Sequence, residues 1–397
     1  MIHLPKGFRY AGVHCGIKSN PEELDLSLVV SDLPATVAGT YTQNLIFGAA
    51  VEVDRARTPG TGFRALVANS RCANDCTGEQ GLRDALEMTA LAAKYAGAES
   101  DKALVMSTGV IGIFMPMDKV RAGIADAAGR LAADEESFHR AVRGIMTTDT
   151  FEKTASRRFT LSNGETITIA GFCKGAAMIS PNMRTMLAMI MTDIALTPQL
   201  AQKILGEAVE ESFNCISVEG HTSPSDTVLL YANGAAYAGD VSEQDLKLFA
   251  DELTAVCREL ARKIPEDGEG VSHLITIDVV GCKDRESAKQ IARQVANDAL
   301  VKTAIYGADP NWGRVISACG NAKVPFDPLK IALSINGHEL FAAGTPLPFD
   351  KAMVSNSIRD NRDTHFLITF AEGTESVRFW TTDLTCEYVH LNSDYTT

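Results

Sequence analysis

Two of the Asn-Gly pairs in this chain constrain what it can fold into more than any other local feature. Asn163-Gly164 follows Phe159 and Leu161, which alternate with polar residues, and precedes Ile167 and Ile169, which do the same. Asn336-Gly337 follows the run LKIALSI. The tightest hairpin turns need positive φ at both central positions, which Asn and Gly tolerate. Each pair therefore predicts an antiparallel hairpin. Residues 365–382 read as a further hairpin around Glu372-Gly373, and residues 101–107 and 272–282 as short buried strands.

Helical periodicity alternates with these strands. In 79–96 the apolar face is Leu82, Leu86, Thr89 and Ala93, with Thr77 before it and Gly97 after it as cap residues. In 117–132 the face is Val120, Ile124, Ala127 and Leu131. In 243–263 it is Leu246, Phe249, Leu253, Val256 and Leu260. Residues 198–213 and 286–300 are further candidates. Hairpins mixed with helices imply an α/β protein of the layered α+β kind, with mainly antiparallel or mixed sheets. No GxGxxG or Walker sequence points to a nucleotide-binding parallel sheet. The 397 residues suffice for two domains or one large core with appendages, and no repeat or Pro/Ser-rich linker divides them.

Charge and cysteine content narrow the partners. Against 37 Lys and Arg stand 50 Asp and Glu, a formal charge of −13, which repels polyphosphate. Nucleic acid and anionic membrane surfaces are therefore poor partners. No apolar run approaches the roughly 18 residues of a membrane span. The N-terminal MIHLPKGFRYAGVHCGIK has no apolar core of a secretory signal. Nine scattered Cys, an odd number without a framework, suggest reduced thiols in a cytoplasmic protein. Cys72 and Cys76 lack a second pair or a nearby His, so a structural role is expected of them and no metal.

Four segments fit poorly as plain core or plain loop. Ser107-Thr108-Gly109-Val110-Ile111-Gly112 follows the apolar strand ALVM. Small residues at a strand end let backbone N–H groups approach a ligand closely, as an oxyanion hole requires, though they also make ordinary turns. Met146-Thr147-Thr148-Asp149-Thr150 ends a helix and enters a strand, where capping is the plain role. In the third, Lys174 opens a run of small and apolar residues, Ser180-Pro181-Asn182 breaks the chain, and Thr185 opens a helix-like stretch, MLAMIMTDI. A Thr at a helix mouth is ordinarily an N-cap. It becomes a nucleophile when a base lies beside its hydroxyl, and an N-terminal Thr carries that base as its own α-amine. The fourth combines Asp267-Gly268-Glu269-Gly270 with the polar tail 392–397, both readable as solvated loop. Two weaker groups are His221 with Asp226, whose spacing does not support a triad, and Asp309-Pro310-Asn311-Trp312-Gly313-Arg314, a site loop or a structural corner.

Read in order, STGVIG, MTTDT, KGAAMISPNMRTML, Ser225-Asp226-Thr227, DGEG, LVKTAIYGADPNWGR and the final NSDYTT resemble the ornithine acetyltransferase family, the glutamate N-acetyltransferases of arginine biosynthesis. The match runs nearly the whole chain. The resemblance implies an αββα sandwich in residues 1–240 and a smaller α/β region in 241–397, whose tail returns to the active site. It implies self-cleavage between Arg184 and Thr185 into α and β chains that stay together as an α2β2 heterotetramer. Thr185 would then take an acetyl group from N2-acetylornithine and pass it to glutamate in a ping-pong cycle. No cofactor is implied, although some members also accept acetyl-CoA as donor. By the same resemblance Thr108 and Gly109 form the oxyanion pair, and Thr148, Lys174, Glu269, Asn392 and Thr397 line the substrate pocket.

The chain departs from the family pattern at Arg184, where relatives commonly carry Ala, and at Ser70-Arg71-Cys72-Ala73-Asn74, where they often read Ser-Gly-Asn-Ala-Asn. Two other readings follow: a paralogue moving acyl groups between other amino acids, and an N-terminal-threonine amidohydrolase or aminopeptidase of related fold.

Overall fold

A computed structural model describes residues 2–178, 186–221 and 223–394. The first sheet takes its strands from the first 237 residues: β1 (Phe8–Val13), β2 (Leu26–Tyr41), β3 (Gly60–Asn69), β4 (Ala103–Ser107), β5 (Lys153–Thr160), β6 (Thr166–Lys174), β7 (Leu187–Ile194) and β8 (Thr227–Tyr237). Among the described residues the order is β4-β3-β2-β8-β7-β6-β5, with β1 also on β2. The β3–β4 and β7–β8 pairs are parallel and the others antiparallel.

The long strand β2 makes this sheet fold over on itself. Its first half pairs with β1 and β3, its second half with β8, and the register shifts between Val30 and Val37. Period-two alternation then sorts the side chains into layers. Val29, Leu66, Leu104, Leu187, Met189 and Leu229 share one inner core. Leu28, Val67 and Val105 face α1 (Ala49–Arg57), α2 (Gly78–Tyr95) and α3 (Met117–Gly129) on one outside. Helix α4 (Glu135–Ile145) adds Phe138 and Val142 to the inner core. Ala188, Ile190 and Val228 face α5 (Pro198–Glu210) and α6 (Glu243–Glu266) on the other outside. The result is helices, sheet, sheet, helices: an αββα sandwich.

A second sheet comprises β9 (Leu274–Cys282), β10 (Ala332–Ile335), β11 (His338–Ala342), β12 (Thr345–Pro346), β13 (Asp363–Thr369) and β14 (Glu375–Thr382). Its order is β12-β11-β10-β13-β9-β14. It packs with α7 (Arg285–Asn297), α8 (Ala299–Tyr306), α9 (Trp312–Asn321) and α10 (Lys351–Arg359) around its own apolar cluster. The last helix is α11 (Cys386–Asp394). Helix α6, which opens the smaller region of the sequence expectation, shares its core with β6–β8 through Phe249, Leu253, Val256 and Leu260. The second sheet itself begins at Leu274.

Several local expectations change in the structure. The stretch after Thr185 is the strand β7, not a helix. All eight of its residues are buried, because a strand in the middle of the sandwich meets a core on each face. Such runs read as continuously apolar, so periodicity alone does not separate them from helix. Residues 365–382 form two strands but no hairpin. β9 lies between them, parallel to β13 and antiparallel to β14. The connection bonds to β9 instead of closing on itself: Phe370 N–H donates to Val280 O at 2.8 Å, and the N–H groups of Glu372 and Gly373 donate to Gly281 O at 2.9 Å. Gly281 is required there, with φ +77° and a Cβ that would lie 2.0 Å from Phe370 O.

Asn336 and Gly337 both take positive φ and join β10 to β11 directly. At Asn163-Gly164 only the Gly does. Leu161 N–H pairs with Glu165 O at 2.8 Å, which lengthens the loop, and Asp245 of α6 holds both the N–H and hydroxyl of Ser162. The candidate helix at 286–300 breaks at Asp298, whose carboxylate caps α8. Asn311 caps α9 and Trp312 stacks on Phe341, so that segment is a corner of the second core. All nine cysteines are unpaired. No helix among the described residues is long and apolar enough to cross a membrane.

Candidate active site

Strand ends converge at one end of the sandwich. The last residue of β6, Lys174, pairs with the first of β7, Leu187, which pairs in turn with the first of β8, Thr227. The ends of β3 and β4 are likewise in register, Asn69 opposite Ser107. The segments that leave or enter these strands line a common cavity. Thr108, Gly109, Thr148, Lys174, Glu269 and Asn392 all border it, so residues from 108 to 392 meet in one place. Arg184, Thr185 and Thr397 lie outside the described residues.

The residue that follows Thr185 is firmly held. Met186 N–H donates to Asp226 Oδ1 at 2.7 Å, and Met186 O accepts from Thr227 N–H at 3.1 Å. Asp226 is fully buried. The peptide that leads into β7 is therefore gripped by the start of β8, beside the end of β6 whose Lys174 borders the cavity. His221 is exposed, so Asp226 serves the backbone of Met186 rather than a triad.

The 107–112 turn is strained in the way a backbone-donor site needs. Gly109 has φ +130°, and a Cβ there would lie 2.1 Å from the carbonyl carbon of Arg71. Only Gly fits such an approach. Thr108 N–H is already donated to Asn69 O at 3.1 Å, and Ser107 Oγ to Asn69 Oδ1 at 2.7 Å. Thr108 can thus offer its hydroxyl to a ligand, but not its amide. Arg71, bonded through its carbonyl to Val110 N–H, itself sits at φ 78°.

Beneath the cavity lies a buried charge network. Asp149 Oδ1 accepts from Lys153 Nζ at 2.6 Å and from Gly175 N–H at 2.8 Å. Lys153 Nζ also reaches Asp267 Oδ2 at 2.5 Å, and Asp267 accepts the N–H and hydroxyl of Thr150. Burial works against the charge on Asp149, but Lys153, Lys174 and the Gly175 N–H together hold its carboxyl below the usual range. Lys174 is fully buried and donates to Thr147 Oγ1 at 3.2 Å. Burial lowers its ammonium pKa, opposed by Asp149, Asp226 and Glu269. Glu269 N–H donates to Ala176 O at 2.9 Å, and its carboxylate takes Asn392 Nδ2 at 3.2 Å. The last helix is tied to the pocket by that contact.

Sequence reasoning did not single out Lys153 or Asp75, and it named Ser225 only as part of a motif. Lys153 reads as the first residue of an amphipathic strand, and Asp75 as loop. Only the convergence of loops distant in sequence gives them meaning.

The sequence matches the ArgJ family over residues 9–397. It is 45% identical over 397 residues to the arginine biosynthesis bifunctional protein ArgJ of Rhodopirellula baltica, covering 99% of this chain and 96% of that protein. It is 42% identical to the protein of the same name from Symbiobacterium thermophilum, covering 100% of this chain and 98% of that one. The crystal structure of the Bacillus halodurans arginine biosynthesis bifunctional protein argJ superposes with a TM-score of 0.50 at 31% identity, covering 51% of this chain and 96% of that chain. A family match over residues 9–397 and identity of this extent across the chain mean that the chain belongs to the ArgJ family.

Proposed function

We propose that this protein is an acetyltransferase of arginine biosynthesis that moves an acetyl group from N2-acetylornithine to glutamate through an acyl-Thr185 intermediate. The observation that carries this is one cavity holding a buried cation and a carboxylate beside a strained Gly turn, at the place where the chain after Thr185 enters β7. Lys174 and Glu269 suit a substrate bearing both charges of an amino acid.

Self-cleavage comes first. The Thr185 hydroxyl attacks the Arg184 carbonyl, the acyl group shifts from N to O, and water hydrolyses the ester. Residue 184 then ends in a carboxylate and Thr185 begins with an amine. In transfer, that amine accepts the hydroxyl proton as Oγ attacks the acetyl carbonyl of the donor. The tetrahedral oxyanion lies against the Thr108 hydroxyl and the Gly109 N–H, and one such donor contributes about 3 kcal/mol to the transition state. The proton passes to the departing ornithine amine, leaving acetyl-Thr185. The glutamate α-amine then attacks, the oxyanion forms and collapses, and N-acetylglutamate leaves with Thr185 restored. Thr148, Asn392 and Thr397 complete the pocket. The two chains stay together as an α2β2 heterotetramer in the cytoplasm, and acetyl-CoA is an alternative donor needing no resident cofactor.

Intact-mass measurement of the purified protein should find a fragment beginning at Thr185. Incubation with N-acetylornithine and glutamate should yield N-acetylglutamate. Acetate release at equal rate with and without an acceptor amine would instead identify an amidohydrolase. Thr185→Ala should abolish both cleavage and transfer, and Thr185→Ser should keep part of each; cleavage that survives Thr185→Ala would refute the assignment.

A further inference from the structure

The pocket contains a carboxyl group that the acyl-transfer steps leave unused. Asp75 borders the same cavity as Thr108, Lys174 and Glu269 and is 1% exposed. Its Oδ2 accepts the Ser225 hydroxyl at 2.7 Å. Its Oδ1 has no hydrogen-bond partner among the described residues. A Cβ built on Gly48 would lie 1.8 Å from that oxygen, so the carboxyl is wedged between the start of α1 and the approach to β8. A side chain packed this tightly is fixed in place, and Oδ2 keeps a second lone pair for a ligand.

A ping-pong cycle sets an unusual demand on such a pocket. The same cavity must receive N-acetylornithine, whose side chain ends in an ammonium, and then glutamate, whose side chain ends in a carboxylate. A permanently ionised carboxylate favours the first and repels the second. A permanently neutral group does little for the first. A carboxyl that gains or loses a proton can match both.

We propose that Asp75 is the specificity residue that lets one pocket accept a cationic donor and an anionic acceptor, ionised against the donor ammonium and protonated against the acceptor carboxylate. The assignment rests on the donor and acceptor proposed above. With N-acetylornithine bound, the Asp75 carboxylate accepts a hydrogen bond from the δ-ammonium. When ornithine leaves and glutamate enters, Asp75 takes one proton from solvent and its O–H donates to the γ-carboxylate. That proton returns to solvent when N-acetylglutamate leaves, so each cycle balances.

The surroundings suit this role. Burial, with Ser225 opposing it, pushes the Asp75 carboxyl up to about 7, where both forms are populated near neutral pH. Among the described residues, Lys174 and Glu269 border the same cavity, Arg71, Cys72 and Cys76 lie in its own loop, Asp84 lies on α2 and Asp226 follows Ser225 before β8.

The test is to measure the two half-reactions separately as a function of pH: ornithine release from N-acetylornithine, and N-acetylglutamate formation from the acetylated enzyme. In the wild type, kcat/KM for the donor should rise relative to that for the uncharged donor N-acetylnorvaline as pH passes through neutrality. The acceptor value should fall relative to that for an uncharged acceptor amine over the same range. The Thr185 amine is common to each pair and cancels from these ratios, and comparison with the Asp75 variant assigns the opposed limbs to Asp75. Asp75→Asn should remove both opposed limbs and lower donor kcat/KM on the order of tenfold, with glutamate kept within about threefold. Ser225→Ala should move both limbs to higher pH. Self-cleavage on a denaturing gel reports whether each variant folds, and Asp75→Ala stands in if the Asn variant does not. Opposed limbs that persist unchanged in the folded variant would overturn the role of Asp75. A wild type that transfers no acetyl group between these two substrates would overturn the donor–acceptor reading instead.

Discussion

The carboxylate of Asp226 accepts the backbone N–H of Met186 at 2.7 Å, fixing the peptide that follows Thr185 against the start of β8. A nucleophile acts only if its reacting atom is held in place, and misplacement of about 1 Å costs on the order of a hundredfold in rate. Asp226→Ala should therefore slow both self-cleavage and acetyl transfer by about that factor, measured by gel densitometry and by N-acetylglutamate formation. Asp226→Asn keeps an acceptor oxygen and should lose less. Equal, near wild-type rates for both variants would show that this contact does not position Thr185.

Gly109 and Thr108 make separable contributions. Gly109→Ala forces a Cβ into the Arg71 carbonyl at a φ of +130°. It should lower kcat by about 10²–10³. Thr108→Ser keeps the hydroxyl and should stay within about tenfold of wild type, while Thr108→Ala should lose about 3 kcal/mol of transition-state stabilisation. Steady-state kcat and KM for all three distinguish a lost transition-state donor, which lowers kcat, from weakened binding, which raises KM.

Lys153 neutralises two buried carboxylates, Asp149 and Asp267, with no exposure of its own side chain. Lys153→Met removes the cation the two share and should destabilise the fold by about 3–5 kcal/mol, read from a denaturant midpoint. Asp149 is held below the ordinary carboxylate range, so its contribution is present above about pH 4 and lost as pH falls through its lowered value. The variant should accordingly differ most from wild type at neutral pH.

Asp75 has the opposite sign. Its carboxyl titrates near 7 in the fold and near 3.9 in the unfolded chain, so the unfolded state releases the proton first. The penalty is absent below about pH 4, grows up to pH 7 and is complete above it. Asp75→Asn should raise the Tm at pH 8 and leave it nearly unchanged at pH 4, as scanning calorimetry would detect. A Tm difference of the same size at both pH values would mean that packing, not ionisation, distinguishes the variant.

What the sequence by itself determined was local or contiguous. The pair Asn336-Gly337 demanded positive φ and made a hairpin. The apolar stripe of 243–263 made α6. The ordered motifs implied the family and most of the pocket, because each motif carries its chemistry in a few neighbouring residues. What only the tertiary structure decided was which elements became neighbours. Alternation marks a buried face but not the strand beside it, so β9 could enter between β13 and β14. An apolar run is compatible with helix or central strand until the sandwich buries both its faces, as it does for β7. Asp75 and Lys153 are unremarkable in sequence for the same reason, and the role of Asp226, visible there only as part of a motif, is set in the same way. Their environments are made by partners up to 150 residues away, and the charge state and role of a carboxyl are set by that surrounding burial rather than by the residues on either side of it.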